Sequence, residues 1–397
     1  MGYHYLVLGA GRQGTACAYD MALYGDAEEL ILADGNLAFA QKSAERLKFL
    51  LKGRPATRIN AIAIDVQKND QLLKALTGID AFLSSVPYYF NPRVAQAAIE
   101  AGTSMCDLGG DIGIVQQELA LHDEAESAGI TIIPDCGLAP GMNNLLAVYA
   151  MEQMDRCQEV QIRCGGLPQV PRPPVGYRLV FNLEGLLNNY FGKAYVLRNG
   201  KVTEIESFTD LETIEFPPPL GRCESFVTAG ATSTCPWSFE GKVETYEYKT
   251  VRYPGHYEKL KLLRDLGLLD TTQLTIENIT TTPRAVFCKI VGPRIAFPQD
   301  KDLVVLRVVC RGVKNHQSIE IALDLLEFHD DQTGFSAMER TTGFAASIIA
   351  IMLAKKEITA HGVIPLEKAA SGKQFVAELA RRGIKVQETR NGGRHGH

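Results

Sequence analysis

Leu6-Val-Leu-Gly9-Ala-Gly11-Arg-Gln-Gly14 is a short apolar run closing on a Gly-x-Gly-x-x-Gly turn, and a helix-compatible stretch, Thr15 to Leu23, follows at once. A dinucleotide-binding βα turn requires that order. Gly9 permits the sharp exit from the strand, Gly11 lets a pyrophosphate approach the backbone, and Gly14 lets the helix pack close to the strand. Ala10, Arg12 and Gln13 complete the turn, and the helix start offers phosphate its unpaired N–H groups. Further out, Glu29 to Ala33 has the pattern of a second strand, and Asp34 follows it, 20 residues beyond Gly14. An acid at that spacing accepts hydrogen bonds from the adenosine ribose. It also repels a 2′-phosphate, so the expected cofactor is NAD rather than NADP. Arg12 is the residue of the turn that would favour the phosphate.

The alternation of strand and helix continues to Ile133 with short joins, which predicts an α/β, Rossmann-type doubly wound parallel sheet. Ligands of such sheets sit at the carboxyl ends of the strands. Those ends carry Gly9, Asp34, Asp65-Val66, Ser84-Ser85-Val86-Pro87-Tyr88, Asp107-Leu108 and Asp135. The cofactor is therefore expected against Asp65, Val66, Ser84, Ser85, Val86, Asp107 and Leu108, besides the glycine turn and Asp34. Beyond Gly137-Leu-Ala-Pro-Gly141 the chain becomes β-rich, with a hairpin signal at Asn199-Gly200 and long antiparallel patterns at Leu303–Val313 and Gln317–Phe328. Met338 to Lys356 is then an apolar helix, and Leu366 to Arg382 another. The expected organisation is residues 1–140 plus 338–397 as the dinucleotide-binding domain, with 141–337 as an inserted α+β domain for substrate and dimerisation.

At 397 residues the chain is long enough for two domains. Net charge is −5, so no basic excess points to nucleic acid or an anionic membrane. The apolar stretch Phe344 to Ala354 is too short to span a bilayer. Met1-Gly-Tyr-His runs straight into the first strand, so no signal peptide is expected. Nine cysteines without a Cys-x-x-Cys pattern predict reduced thiols and a cytoplasmic setting. No His/Cys cluster has the spacing of metal ligands, so no metal is expected.

The match is wider than a fold class. The stretches VLGAGRQG, DLGGDIG from Asp107, TIIPDCGLAPGMNN from Thr131 and CGGLPQVPRPPVGY from Cys164 resemble the saccharopine dehydrogenase-like oxidoreductases. So do FNLEGLLNNY from Phe181, AGATSTCPWSF from Ala229, YKTVRYPGH from Tyr248 and GFSAMERTTGF from Gly334. The resemblance implies a catalytic insertion whose following helices return to the Rossmann domain. It also implies NAD-linked oxidation at the ε-carbon of L-lysine, with hydride transfer, imine hydrolysis, loss of ammonia and cyclisation of allysine. In the saccharopine-forming pattern an arginine precedes the glycine where this chain has Glu184-Gly185, and another stands at Ala231, before Thr232. Their absence removes a clasp for the extra carboxylates of saccharopine. Glu184, expected on the cleft wall, supplies negative charge suited to a cationic diamino acid. The alternatives are NADP-linked saccharopine or carboxynorspermidine dehydrogenase chemistry, and a non-catalytic dinucleotide-binding regulator.

Two residues are candidates for catalysis. Asp107, at a strand end, is placed to hold or deprotonate the substrate amine, or else to cap the following turn. His256, after Arg252-Tyr-Pro-Gly255, suits activation of the water that hydrolyses an imine. Tyr88 is expected at the substrate or over the nicotinamide ribose. Arg252, Arg178 and Arg340 compete for the α-carboxylate, with Arg252 first because it shares a loop with His256. Tyr177 and Thr232, within the resembling stretches, complete the expected substrate contacts. The implied partner is a small amino acid, and a homodimer or higher homo-oligomer is expected.

Overall fold

A computed structural model describes residues 2–53, 57–179 and 183–392. Phe181 and Asn182, the start of one quoted stretch, lie outside the described residues, as does the tail from 393. The first unit runs β1 (Tyr3–Leu8), α1 (Arg12–Tyr24), β2 (Ala27–Asp34), α2 (Leu37–Leu50), β3 (Arg58–Ala63), α3 (Asn69–Leu76) and β4 (Ala81–Ser84). It continues with α4 (Asn91–Ala101), β5 (Ser104–Asp107), α5 (Ile112–Leu119), α6 (His122–Ser127) and β6 (Thr131–Ile133). The expected single helix over Ile114–Ala128 is two. The first ends at Leu119 and the second begins at His122, and Val115 of the one and Ala125 of the other are both buried.

The second unit opens with α7 (Met142–Met151), β7 (Arg156–Pro168), α8 (Leu183–Asn188), β8 (Lys193–Arg198), β9 (Lys201–Glu206), β10 (Glu212–Phe216) and β11 (Gly221–Val227). Then come α9 (Cys235–Ser238), β12 (Thr245–Arg252), α10 (His256–Asp265), β13 (Leu274–Ile276), β14 (Ile279–Thr281), α11 (Pro283–Ile295), β15 (Asp302–Lys314) and β16 (Gln317–Phe328). Asn199 and Gly200, both at positive φ, form the β8–β9 turn as the dipeptide predicts. The chain ends in α12 (Ala337–Ala354), β17 (Gly362–Val363), α13 (Leu366–Ala369), α14 (Gly372–Arg381) and β18 (Val386–Gly392). The expected helix over Leu366–Arg382 is broken before Gly372, where a Cβ would stand 2.3 Å from the backbone nitrogen of Tyr149.

The first sheet is parallel throughout, in the order β17-β6-β5-β4-β1-β2-β3. Chain order reverses between β1 and β4, which is the switch point of a doubly wound fold. The second sheet, β10-β11-β12-β7-β15-β16-β18 with β8 and β9 beside β12, is mixed. Its last strand corrects the expected boundary. Residues 386–392 do not return to the dinucleotide-binding unit but pair antiparallel with β16, closing an edge that would otherwise expose a long row of unpaired backbone groups.

Helix α12 joins the units. It is long and apolar enough to cross a bilayer, but 89% of that window is buried inside the protein. Gly343 lets it approach α1, since a Cβ there would meet that of Ala16 at 2.8 Å. Ser347 of α12 and Arg382 both bind Asp20 of α1, at 2.6 and 2.8 Å, in full burial.

Candidate functional site

Outside the carboxyl ends of β1 and β4 lies a cavity of about 500 Å³, bordered by Gly9, Gly11, Asp34, Asp65 and Ser85, with Val66 and Val86 as apolar lining. The glycine positions are fixed by sterics. Gly9 takes φ +90°, and a Cβ on Gly14 would stand 1.9 Å from the Gly9 carbonyl oxygen. Gly11, the N-cap of α1, has nothing within 4 Å of its missing Cβ, so the approach to the helix N-terminus is open. Ser85 binds the turn from below, its hydroxyl 2.7 Å from the Gly9 oxygen. Asp34 ties the first two βα turns together, accepting from Ala10 N–H and Asn36 N–H at 2.9 Å each. Gln13 is partly buried. These residues fit a dinucleotide: an open helix end for pyrophosphate and a carboxylate for ribose.

Two details concern the adenosine end. Among the described residues, Asp34 and Asp65 are the charged groups bordering the cavity, and no lysine or arginine lines it. Arg12 turns the other way, donating from Nε to Glu339 at 2.6 Å in the capping box of α12. Ser84 is corrected. It is buried and donates to Asn91 Oδ1 at 2.9 Å, so it faces α4 and not the cavity.

Two buried carboxyl groups, Asp107 at the end of β5 and Asp135 just after β6, lie with a third, Glu118 of α5. Asp107 Oδ1 accepts from the N–H groups of Gly109 at 2.6 Å and Asp135 at 3.2 Å. Asp107 is therefore the cap of its turn, sealed from direct contact with an amine, which corrects the substrate-facing expectation. Burial raises its pKa from the usual carboxylate range, against the hydrogen bonds it accepts. Asp135 accepts from Gly110 N–H at 3.2 Å and from Ser233 of the second unit. Burial and the Asp107 charge push Asp135 up to about 8. Leu108 is half-buried on the core, and Tyr88, also half-buried, lays its ring over Gly110.

The second unit contributes a cluster around Arg252. Its Nε donates to Tyr190 Oη at 3.1 Å, its Nη1 to the Val251 carbonyl at 2.8 Å, and its guanidinium lies 4.9 Å from the centre of the Tyr177 ring. Arg252 is 4% exposed and has no carboxylate partner among the described residues. His256 is 1% exposed. Its Nδ1 donates to the Val175 carbonyl at 3.0 Å, which leaves Nε2 to accept from Tyr190 Oη at 2.9 Å. Burial, then the Arg252 charge, holds the imidazole down to about 3. With both nitrogens engaged, His256 has no free base to offer water, and that expectation is corrected. It positions Tyr190 instead.

The other expected contacts divide. Arg178 is buried, donates to the Asp300 carbonyl, and lies near enough to Arg12 for the two charges to oppose one another. The Tyr177-Arg178 segment thus runs from the Arg252 cluster towards the nucleotide turn. Thr232 is corrected, its buried hydroxyl donating to the Tyr195 carbonyl at 2.8 Å. Arg340 is paired with Glu327 at 2.5 Å. Glu184 is exposed in the first turn of α8, beside Cys288 of α11, which is a helix-end setting and not the water-poor contact expected. A larger opening of about 650 Å³ lies over the second sheet, but its Arg311 is already paired with Glu159 and Glu320.

Two family descriptions match this chain. The saccharopine dehydrogenase NADP binding domain covers residues 5–133, and the saccharopine dehydrogenase C-terminal domain covers residues 137–384. The chain belongs to the saccharopine dehydrogenase family. Within this family of oxidoreductases it is 27% identical over 256 residues to the NADP(+), L-glutamate-forming saccharopine dehydrogenase of Schizosaccharomyces pombe, covering 60% of this chain and 54% of that protein. It is 26% identical over 389 residues to the mitochondrial alpha-aminoadipic semialdehyde synthase of Bos taurus, covering 79% of this chain and 41% of that one. The chain thus spans about half the length of these relatives. Carboxynorspermidine synthase of Vibrio cholerae is 21% identical and matches over 91% of both chains. The fold matches apo saccharopine dehydrogenase (L-Glu forming) from Saccharomyces cerevisiae with a TM-score of 0.80 at 20% identity, covering 98% of this chain and 100% of that one.

Proposed function

We propose that this saccharopine dehydrogenase family member is a lysine 6-dehydrogenase, oxidising the ε-carbon of L-lysine with NAD. The observation that carries the reading is Arg252, a buried guanidinium with aromatic neighbours and no carboxylate partner among the described residues. A buried cation left unpaired is costly unless an anion completes it, and the carboxylate of lysine would complete this one. The adenosine end supports NAD, because two carboxylates and, among the described residues, no cation border the cavity. The dinucleotide, when bound, supplies the hydride acceptor. Lysine's ε-amine, of ordinary pKa about 10.4, gives up its proton before a hydride leaves the ε-carbon. Water then adds to the carbon–nitrogen double bond, ammonia departs, and the resulting allysine closes to piperideine-6-carboxylate. Tyr190, held between Arg252 and His256, keeps the guanidinium in place for the substrate carboxylate.

A second reading, NADP-linked turnover of saccharopine or carboxynorspermidine, is favoured by the names of the relatives. NADH absorbance in the steady state separates them. Lysine with NAD should give turnover, and saccharopine or carboxynorspermidine with NADP should not. Turnover of either with NADP, and none of lysine with NAD, overturns the proposal.

A further inference from the structure

Glu118 takes no part in the chemistry described so far, yet it is among the most enclosed charges in the protein. It sits on α5 with no exposed surface, and no donor among the described residues reaches either carboxyl oxygen. It faces Asp107 of β5, whose Oδ2 is likewise buried and unpartnered. The other titratable group facing it is Asp135, after β6, again a carboxyl group. The charged residues of the neighbouring α4 are engaged elsewhere, Arg93 with the Gln67 carbonyl and Glu100 with Asn69.

Two buried carboxyl groups with no cation between them cannot both ionise. One proton placed between Glu118 and Asp107 satisfies both orphaned sites at once. Asp107 already accepts two backbone N–H bonds, which favour its ionised form, whereas Glu118 accepts none among the described residues. The proton therefore belongs on Glu118, with Asp107 as acceptor. We propose that Glu118 is a positioning residue, a neutral carboxylic acid that donates to Asp107 and so fixes the Leu108–Gly110 turn on which Tyr88 rests. Burial, then the Asp107 and Asp135 charges, raises the Glu118 pKa well above the usual range.

The arrangement reaches across the fold. Asp107 holds Gly109 and Asp135, and Asp135 holds Gly110 and Ser233. A Cβ on Gly109 would stand 1.5 Å from Asp135 Oδ1, so the turn has little room to relax. The protonated acid anchors one end of a chain of contacts that finishes in the second unit, beside the expected substrate side of the strand ends. This inference rests on the proposed dehydrogenase activity only for its kinetic readout.

The test compares wild type with Glu118→Gln and Glu118→Leu in the full chain. Infrared difference spectra at pH 7 between wild type and Glu118→Gln should contain a protonated-carboxyl stretch that the variant lacks. Glu118→Gln, still a neutral donor, should keep kcat within about threefold, while Glu118→Leu should lose about 10- to 100-fold in kcat with NAD affinity by fluorescence titration unchanged. No protonated band, full kcat in a folded Glu118→Leu, or equal losses in both variants each overturns the proposal. The infrared result stands whether or not lysine is the substrate. If wild type turns over no lysine while the band is present, the functional reading fails and the assignment of the proton does not.

Discussion

Replacing Arg252 with glutamine removes a buried charge that has no carboxylate partner among the described residues, the charge proposed to receive the substrate carboxylate. The guanidinium is already held by Tyr190 and the Val251 carbonyl and stacked on Tyr177, so little further ordering is required when a ligand arrives. A charge-assisted hydrogen bond is worth about 1.5–3 kcal/mol, so losing one such bond lowers kcat/KM for lysine by about 10- to 100-fold. The informative assay pairs lysine with 1,5-diaminopentane, which has the same reacting amine and no carboxylate. Wild type should favour lysine by about the same factor, and Arg252→Gln should erase most of that preference while changing diamine turnover little. Melting temperature, followed in parallel, reports any loss of packing. If lysine and the diamine fall together, Arg252 supports the fold or the chemistry and does not bind the carboxylate, and the argument from its missing partner is refuted.

Asp34→Ser should narrow an NAD preference over NADP by about ten- to a hundred-fold in kcat/KM, the value of one charge-assisted bond; a wild-type preference for NADP would show that the carboxylates beside the cavity do not decide the cofactor. His256 is held neutral, its pKa lowered to about 3 from 6.5. A depressed base contributes stability that is present above its unfolded pKa and lost as pH falls towards its folded pKa. From pH 6.5 to 5 that loss is about 2 kcal/mol. Urea midpoints should fall over this range in wild type and fall less steeply in His256→Gln, and equal slopes would remove His256 from the acid response.

The first unit was legible because most of its strands end where a glycine turn or an acid follows an apolar run, and parallel strands between helices leave few other arrangements. The Arg252 cluster was legible only in part. Its arginine could be ranked from the loop it shares with His256, but the burial that occupies both imidazole nitrogens comes from Val175 and Tyr190, distant in sequence. Ser84 is the last residue of β4 and Ser85 the first beyond it, and sequence alone does not say which one meets the cavity. Glu118 did carry a signal. It lies three residues after Val115 on one helix face, and a glutamate sharing a face with a core valine is marked for burial. Strand β18 has no strong apolar alternation, and the need of β16 for a partner supplies its register.

Helix α12 and strand β17 complete the dinucleotide-binding unit, although some two hundred residues of the second sheet intervene. On a ribosome, the first six strands emerge long before the helix that covers α1. During that interval Ala16, Cys17 and Met21, all fully buried in the finished protein, have nothing from α12 against them. The covering of α1 is therefore completed only after the second sheet has been made. Cutting the protein between its two family domains would therefore leave the N-terminal piece without its covering helix, so the smallest portion able to present a finished nucleotide cleft extends through β17.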